Sequence, residues 1–278
     1  MKGSRGMTLI ESRPDYPQRI VCLTEEPTET LYLLGEGDRV VGISGYTVRP
    51  PEARLKPKVS AFISAKFDKI YALEPDLVIA FSDLQADIVS ELVRNGVQVM
   101  TFNQRSVSEI LQMILMIGGL IGCVEKAERL VHEFRAEIEA AAREAEAMPC
   151  RPKVYFEEWM DPLISGIRWV EELIEIVGGE PIFPELREHR LAKDRIVDPV
   201  EVVRRDPDLI IASWCGKRVN IEAIRERPGW REITAVKHNR IHEIKSTYIL
   251  QPGPAVLTEG LTQLRRLISE TARAISAQ

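Results

Sequence analysis

The feature of this sequence that most constrains its fold is a short internal repeat. DKIYALEPDLVIAF (68–81) and VEVVRRDPDLIIAS (200–213) each combine a short helical pattern, an acidic residue, Pro-Asp and an apolar run. In each copy the proline ends the helix, and the aspartate can cap the turn into a buried strand. One copy lies on each side of a long helical stretch, so the sequence predicts two similarly built halves flanking a helix.

Short β-branched runs alternate with helical patterns along the rest of the chain. This alternation predicts an α/β fold in which mainly parallel sheets are covered by helices. The helix in ADIVSELVRN (86–95) is expected to end at Gly96, where a left-handed residue is least costly. The strands are predicted at 19–23, 39–44, 76–81, 97–102, 153–158, 208–213 and 240–244.

The middle of the chain contains the long helical stretch. VEKAERLVHEFRAEIEAAAREAEAM (124–148) has no glycine or proline and is apolar at helical spacing. At 1.5 Å per residue it would extend about 37 Å, the length of a rigid strut between two lobes. A coiled-coil dimer segment is the alternative, although the apolar pattern does not sustain heptads.

Composition excludes several classes of protein. Lys and Arg number 37 against 42 Asp and Glu, a net charge of −5, and no basic stripe follows the chain, so nucleic acid is not expected as a partner. The longest apolar stretch, about 15 residues, is shorter than a membrane span.

The four cysteines are scattered, as expected of free thiols. The amino-terminal segment has no apolar run of signal-peptide length. We therefore expect a cytoplasmic protein as the sequence stands, and an extracytoplasmic one if a signal has been removed.

No catalytic or metal-binding motif is found in the sequence, so an enzyme is not expected. His238 and His242 are four residues apart, but the turn-to-strand pattern around them favours structural histidines over a zinc site. Glu157, Glu158 and Asp161 form an acidic group that we expect on a solvated surface.

Taken in order, the motifs identify a family. RIVCLTEEPTETLYLLGEGDRVVGIS, YALEPDLVIA, GVQVMTF and GIRWVEELIEIVGGEPIF, with the second repeat and RPGWREITAVKHNRIHEI, resemble substrate-binding proteins of the cobalamin and iron-siderophore uptake type. GYTVRPPEA (45–53) and RPGW are most similar to the cobalamin-binding branch. The resemblance implies an N-terminal α/β lobe at 19–122, a connecting long helix at 123–149 and a C-terminal α/β lobe at 150–278.

The same resemblance implies a function. It is the non-catalytic capture of a bulky ligand between the lobes, most simply a corrinoid, with delivery to the membrane subunits of an ABC importer. A ferric siderophore or haem is the alternative ligand. A cytoplasmic corrinoid-handling protein that does not dock to an importer is the alternative role. No covalently bound cofactor and a monomeric protein are expected.

Aromatic residues follow several predicted strands, where ligands of parallel sheets bind. Packing in the core or at the rim is the alternative role for each of them, and Trp230 is assigned to packing. We expect Phe81 and Trp214, at equivalent repeat positions, to face each other across the cleft. The loop 214–220 would add polar contacts through Gly216, Lys217 and Arg218. The candidate aromatic ligand contacts are Tyr46, Phe62, Phe81, Trp169, Trp214 and Tyr248.

The family resemblance also implies one exposed acidic residue per lobe for docking to the importer. The matching position in the first lobe is Asp68. In the second lobe it is Val200, which cannot form a charged pair, so Glu201 is the substitute candidate.

Overall fold

In the computed structural model, residues 15–277 are described, and their strands form two separate sheets. Within residues 15–122 there are five strands and four α-helices: β1 (Ile20–Cys22), α1 (Glu25–Leu33), β2 (Val40–Ser44), β3 (Lys58–Ser60), α2 (Phe67–Ala72), β4 (Leu77–Phe81), α3 (Ala86–Arg94), β5 (Val99–Phe102) and α4 (Val107–Leu120). The sheet order is β3-β2-β1-β4-β5, and every neighbouring pair is parallel.

A single long helix, α5 (Val124–Glu146), follows and leads to the second sheet. The elements beyond it are β6 (Lys153–Met160), β7 (Leu163–Ser165), α6 (Arg168–Ile176), β8 (Glu180–Pro181), α7 (Pro199–Arg205), β9 (Leu209–Ala212), α8 (Ile221–Arg225), α9 (Thr234–Lys237), β10 (Ile241–Glu243), α10 (Ser246–Ile249) and α11 (Leu261–Ser276). The order is β10-β9-β6-β7, with β8 beside the start of β6. All pairs are parallel except β6 with β7.

The two copies of the repeat occupy equivalent places in the two sheets. β4 pairs with β1, the first strand of its sheet, and β9 pairs with β6, the first strand of the other. Asp76 accepts hydrogen bonds from the amides of Gln18 and Arg19 (2.7 and 2.9 Å), and Asp208 accepts one from the amide of Lys153 (2.8 Å). Each Pro-Asp aspartate therefore ties its strand to the entry of the first strand.

The connection between the lobes begins at α4, whose first turn carries a capping box between Ser106 and Glu109. Gly122, at φ +74°, separates α4 from α5. A Cβ on Gly118 would lie 2.3 Å from that of Ala127, so the close approach of the two helices requires glycine. α5 is about 35 Å long, and the chain passes from one sheet to the other along it once.

One hydrophobic core continues through both lobes. It includes residues of β1, β4 and α4 from the first lobe and of β6, α6 and α11 from the second. The buried face of α5, with Val131 and Phe134, lies in the same core. The apolar face of α5 is thus covered by its own chain, which disfavours the coiled-coil alternative.

The two-lobed α/β architecture predicted from the sequence is confirmed. The domain limits at 122, 149 and 278 stay a prediction. Residues 1–14, on which the prediction of cellular location rests, lie outside the described residues. Across residues 15–277, none of the helices combines the length and apolar character needed to cross a membrane.

Candidate functional site

Residues that follow strand ends of both sheets interact with one another between the lobes. Arg105 follows β5, and its burial and the charges of Arg190 and Arg195 lower the pKa of its guanidinium. Cys215 follows β9 and is exposed, but partial desolvation by neighbouring atoms and the charges of Glu158 and Glu25 raise the pKa of its thiol. These charges come from both lobes, and Gln104, which also follows β5, donates a hydrogen bond to the carbonyl of Pro252 in the second lobe (2.8 Å). Residues beyond the strand ends of the first sheet therefore lie against the second lobe, where ligands of parallel sheets bind.

Two of the expected aromatic residues form the first-lobe side of this site. The buried side chain of Gln85 accepts a hydrogen bond from the amide of Phe81 (2.9 Å) and donates one to the carbonyl of Phe62 (2.6 Å). The guanidinium of Arg105 lies 5.1 Å from the centre of the Phe81 ring and 3.6 Å from Asp83. The ring of Phe81 is covered by this cation and Phe81 is only 4% exposed, so it does not face an open cleft as expected. Phe62 is half-buried and keeps part of its surface open.

Two tyrosines lie at the rim. Tyr46, just after β2, is 58% exposed. Tyr248 is half-buried, with the guanidinium of Arg49 5.6 Å from its ring centre. Arg49 also bridges Glu29 on α1 and Glu259 before α11, both at 2.8 Å. This ion pair joins the first lobe to the carboxyl-terminal segment.

The structure corrects the expected placement of the two tryptophans. Trp214 is 3% exposed and donates its indole N–H to Glu157 Oε1 (3.0 Å). Trp169 is 2% exposed and donates to the carbonyl of Ile249 (2.9 Å). Both rings pack in the core because each N–H has a buried acceptor there, so neither ring offers an open wall to a ligand.

The acidic group after β6 is also different from the expected solvated surface. Glu157 is fully buried and accepts two hydrogen bonds from Arg227, whose guanidinium lies 4.5 Å from the ring centre of Trp230. Glu158 pairs with Arg195 (2.6 and 3.1 Å). Only Asp161 is exposed as expected. Trp230 is fully buried, which confirms its assignment to packing.

The loop 214–220 carries the expected polar residues on the surface. Gly216 has φ +69° and donates its amide to Ser246 Oγ (3.3 Å). Arg218 is exposed, and Lys217 Nζ lies 4.7 Å from the ring centre of Trp159. Trp159 was not predicted as a ligand contact. Its position at the end of β6 was the available signal.

Three glutamates on α1 were also missed by the sequence reasoning. Glu25, Glu26 and Glu29 are nearly buried, although acidic residues at a helix start usually face water. The signal was EEPTE directly after the first strand, where a ligand would approach. Burial raises the pKa of all three carboxyls, that of Glu25 to about 8.

The two docking candidates differ in their surroundings. Asp68 is exposed in the first turn of α2. Glu201 binds Arg204 and Arg205 on its own helix, and these hydrogen bonds lower the pKa of its carboxyl to about 2. Val200 is 71% exposed. The roles of these residues in docking, like those of the ligand contacts, stay predictions.

No group of three or more metal-binding side chains is found among residues 15–277.

Two parallel sheets, one connecting helix and a shared site at the strand ends define a two-lobed ligand-binding protein. The family described as Periplasmic binding protein matches residues 20–248. The chain belongs to that family, and the resemblance expected from the sequence is confirmed.

Individual proteins similar to this chain carry different names. An uncharacterized ABC transporter substrate-binding lipoprotein of Bacillus subtilis, YvrC, is 29% identical over 261 residues, which cover 91% of this chain and 80% of YvrC. A vitamin B12-binding protein of Vibrio parahaemolyticus is 25% identical over 247 residues, 86% of each chain. The solved structure of apo RhuT, a periplasmic heme-binding protein from Roseiflexus, has a TM-score of 0.77 at 23% identity, covering 92% of this chain and 99% of RhuT.

Proposed function

We propose that this protein captures a corrinoid without covalent chemistry, between its two lobes, as the substrate-binding component of an ABC importer. The observation that carries the proposal is the site at the strand ends, where Arg195 and Glu25 act electrostatically across the lobes on Arg105 and Cys215, and Gln104 donates to the carbonyl of Pro252. Such a site lies where ligands of parallel sheets bind. The importer role is supported by the family and by the name of the Bacillus relative.

The choice of a corrinoid is supported by two features. The Vibrio relative is named a vitamin B12-binding protein. Four aromatic rings stand at the site or its rim with part of their surface open, which suits a large ligand with apolar faces. They are Tyr46, Phe62, Trp159 and Tyr248.

Haem and ferric siderophores are the competing ligands, since a protein of the same fold is named for haem. Titration with cyanocobalamin, haemin and ferric enterobactin, followed by calorimetry and visible absorbance, separates the three. We expect cyanocobalamin to bind most tightly and to quench tryptophan fluorescence. At 100 times the dissociation constant it should stabilise the fold by about 2.7 kcal/mol. Tighter binding of haemin or ferric enterobactin would refute the corrinoid assignment.

A corrinoid-handling role without importer docking is the second candidate. It is favoured by the second lobe, where Val200 occupies the expected docking position and Glu201 is held by Arg204 and Arg205. The importer role would place the protein outside the cytoplasm, and this second role would place it inside.

Binding to the purified membrane subunits of a cognate importer, in detergent, decides between the two roles. For the importer role we expect Asp68→Ala to weaken docking by about tenfold or more, as loss of a charge-assisted pair does. Tight docking of the wild type would refute the second role. Absence of docking in the presence and absence of cyanocobalamin would refute the first.

A further inference from the structure

Two adjacent glutamates in the site, Glu25 and Glu26, are buried without a salt bridge. They begin α1 directly after β1 and are 8% and 4% exposed. Their neighbour Glu29 has Arg49 at 2.8 Å, whereas no salt bridge within residues 15–277 reaches Glu25 or Glu26. A buried carboxylate without a paired cation is unfavourable, and such a group becomes neutral instead.

Polar atoms without hydrogen-bond partners surround the same pair. Glu26 Oε2 and Gln104 Oε1 have none, although Glu26 and Gln104 are only 4% and 5% exposed. Gln104 donates to the carbonyl of Pro252 (2.8 Å), and a Cβ on the next residue, Gly253, would lie 2.7 Å from Glu26 Cβ. Buried polar atoms without hydrogen-bond partners therefore lie close together, and a polar ligand could provide those partners.

The charged and titratable groups around the pair come from several elements. They are Cys22 on β1, Glu29 on α1, Arg105 after β5 and Cys215 after β9. Of these only Arg105 is a cation, and it already lies 3.6 Å from Asp83.

The protonation state of the pair follows from these surroundings. Burial, and then the charge of Glu26, raises the pKa of Glu25 to about 8. Burial raises the pKa of Glu26 as well, although Thr24 and Arg105 oppose that shift. Because the pKa of Glu25 lies near 8, its carboxyl is mostly protonated at pH 7 and can donate a hydrogen bond.

We propose that Glu25 and Glu26 are an acid pair that donates hydrogen bonds to amide carbonyls at the edge of a neutral corrinoid and discriminates against ligands that carry a carboxylate there. The inference rests on the proposed function, because it specifies the chemistry of that site. An amide group of the ligand can form hydrogen bonds with these unpartnered atoms without adding charge. A carboxylate would add a buried charge to a place where two carboxyls already lie close together.

A matched set of four ligands tests the proposal: cyanocobalamin and its b-, d- and e-monocarboxylic acids, in each of which one propionamide side chain is hydrolysed to a propionate. Calorimetry at pH 7 should show at least one of these acids binding about tenfold or more weakly than cyanocobalamin. For cyanocobalamin itself, affinity should fall about tenfold from pH 7 to pH 9, because Glu25 loses its proton as pH rises through its pKa of about 8.

Two double variants separate hydrogen bonding from charge. E25Q/E26Q keeps neutral donors, so it should retain the pH 7 affinity for cyanocobalamin within about threefold and lose the decrease at pH 9. E25A/E26A should lose about tenfold or more at both pH values. Glu52→Gln, an exposed position in the same lobe, is the control and should behave as the wild type.

These experiments distinguish a failure of the acid-pair inference from a failure of the proposed function. If wild-type protein binds cyanocobalamin with equal affinity at pH 7 and pH 9, or binds all three acids as well as the amide, the acid pair is refuted while the proposed function stands. If E25A/E26A does not fold, judged by circular dichroism, the wild-type pH profile and E25Q/E26Q still decide. If the wild type binds no corrinoid, the proposed function fails and the inference fails with it.

Discussion

Two tryptophans near the site have opposite surroundings, and this difference can be tested one residue at a time. Trp214 is buried on Glu157, whereas Trp159 is half-buried beside Lys217. We expect Trp214→Ala to lower the free energy of unfolding by about 3–5 kcal/mol, as loss of a buried aromatic does. We expect Trp159→Ala to change that free energy far less and to weaken ligand binding by about tenfold or more.

Urea denaturation measures the free energy of unfolding of both variants, and calorimetric titration measures their affinity for the ligand. The sequence alone predicted Trp214 as a ligand contact that faces Phe81 across the cleft. A Trp214→Ala variant with wild-type stability and lost affinity would restore that first expectation and contradict the packing described for Trp214.

At the residue scale, the sequence could place aromatic residues at strand ends but could not assign their contacts. Phe81 and Trp214 hold equivalent repeat positions, yet Phe81 lies under Arg105 while Trp214 donates to Glu157. These partners are far away in sequence, and Arg227, which neutralises Glu157, is 70 residues from it. The local sequence pattern does not encode such pairings, so the buried Glu157 was expected on a solvated surface.

Helix α6 carries a buried glutamate that should make stability depend on pH. Glu171 is 3% exposed, and its Oε1 fills the space beside Gly166 where a side chain would lie. Burial raises the pKa of its carboxyl to about 8, although the nearby Arg195 opposes the shift. The folded state therefore holds a proton that the unfolded state releases near pH 4.5, so this group lowers stability as pH rises from about 5 to 8.

Glu171→Gln removes this titration. The variant should be about as stable as wild type at pH 5 and should gain relative stability with rising pH, by at most about 1.4 kcal/mol per pH unit. Urea denaturation at pH 5, 6.5 and 8 measures the effect, with exposed Glu128→Gln as the control. A stability difference between Glu171→Gln and wild type that is independent of pH would show that Glu171 does not titrate in this range.

At the element scale, the repeat and the glycine-ended helices predicted the long elements well. The strands that the sequence missed are β3, β7 and β8, each of two or three residues. Such short runs carry too little periodicity to be recognised, and they form only because longer strands provide the partners. The helix predicted at 124–148 is α5, which begins just after Gly122 at φ +74°.

The whole molecule is joined by one core that runs from β1 through α5 to α11. A helix embedded in such a core resists hinge bending more than exposed loop connections do. Small-angle scattering should therefore show a change in radius of gyration below about 0.5 Å when cyanocobalamin is added at saturation. A large compaction would mean that the lobes move on a hinge that α5 does not restrain.

A ligand bound at the strand ends of both lobes should be visible in hydrogen-exchange mass spectrometry with and without cyanocobalamin. We expect slower exchange in both lobes at once, in segments 44–48, 60–63, 103–106, 157–160 and 213–219. Protection confined to one lobe would contradict this placement of the ligand. So would protection confined to the cavity of about 640 Å³ that Leu111, Ile138 and Ile176 line.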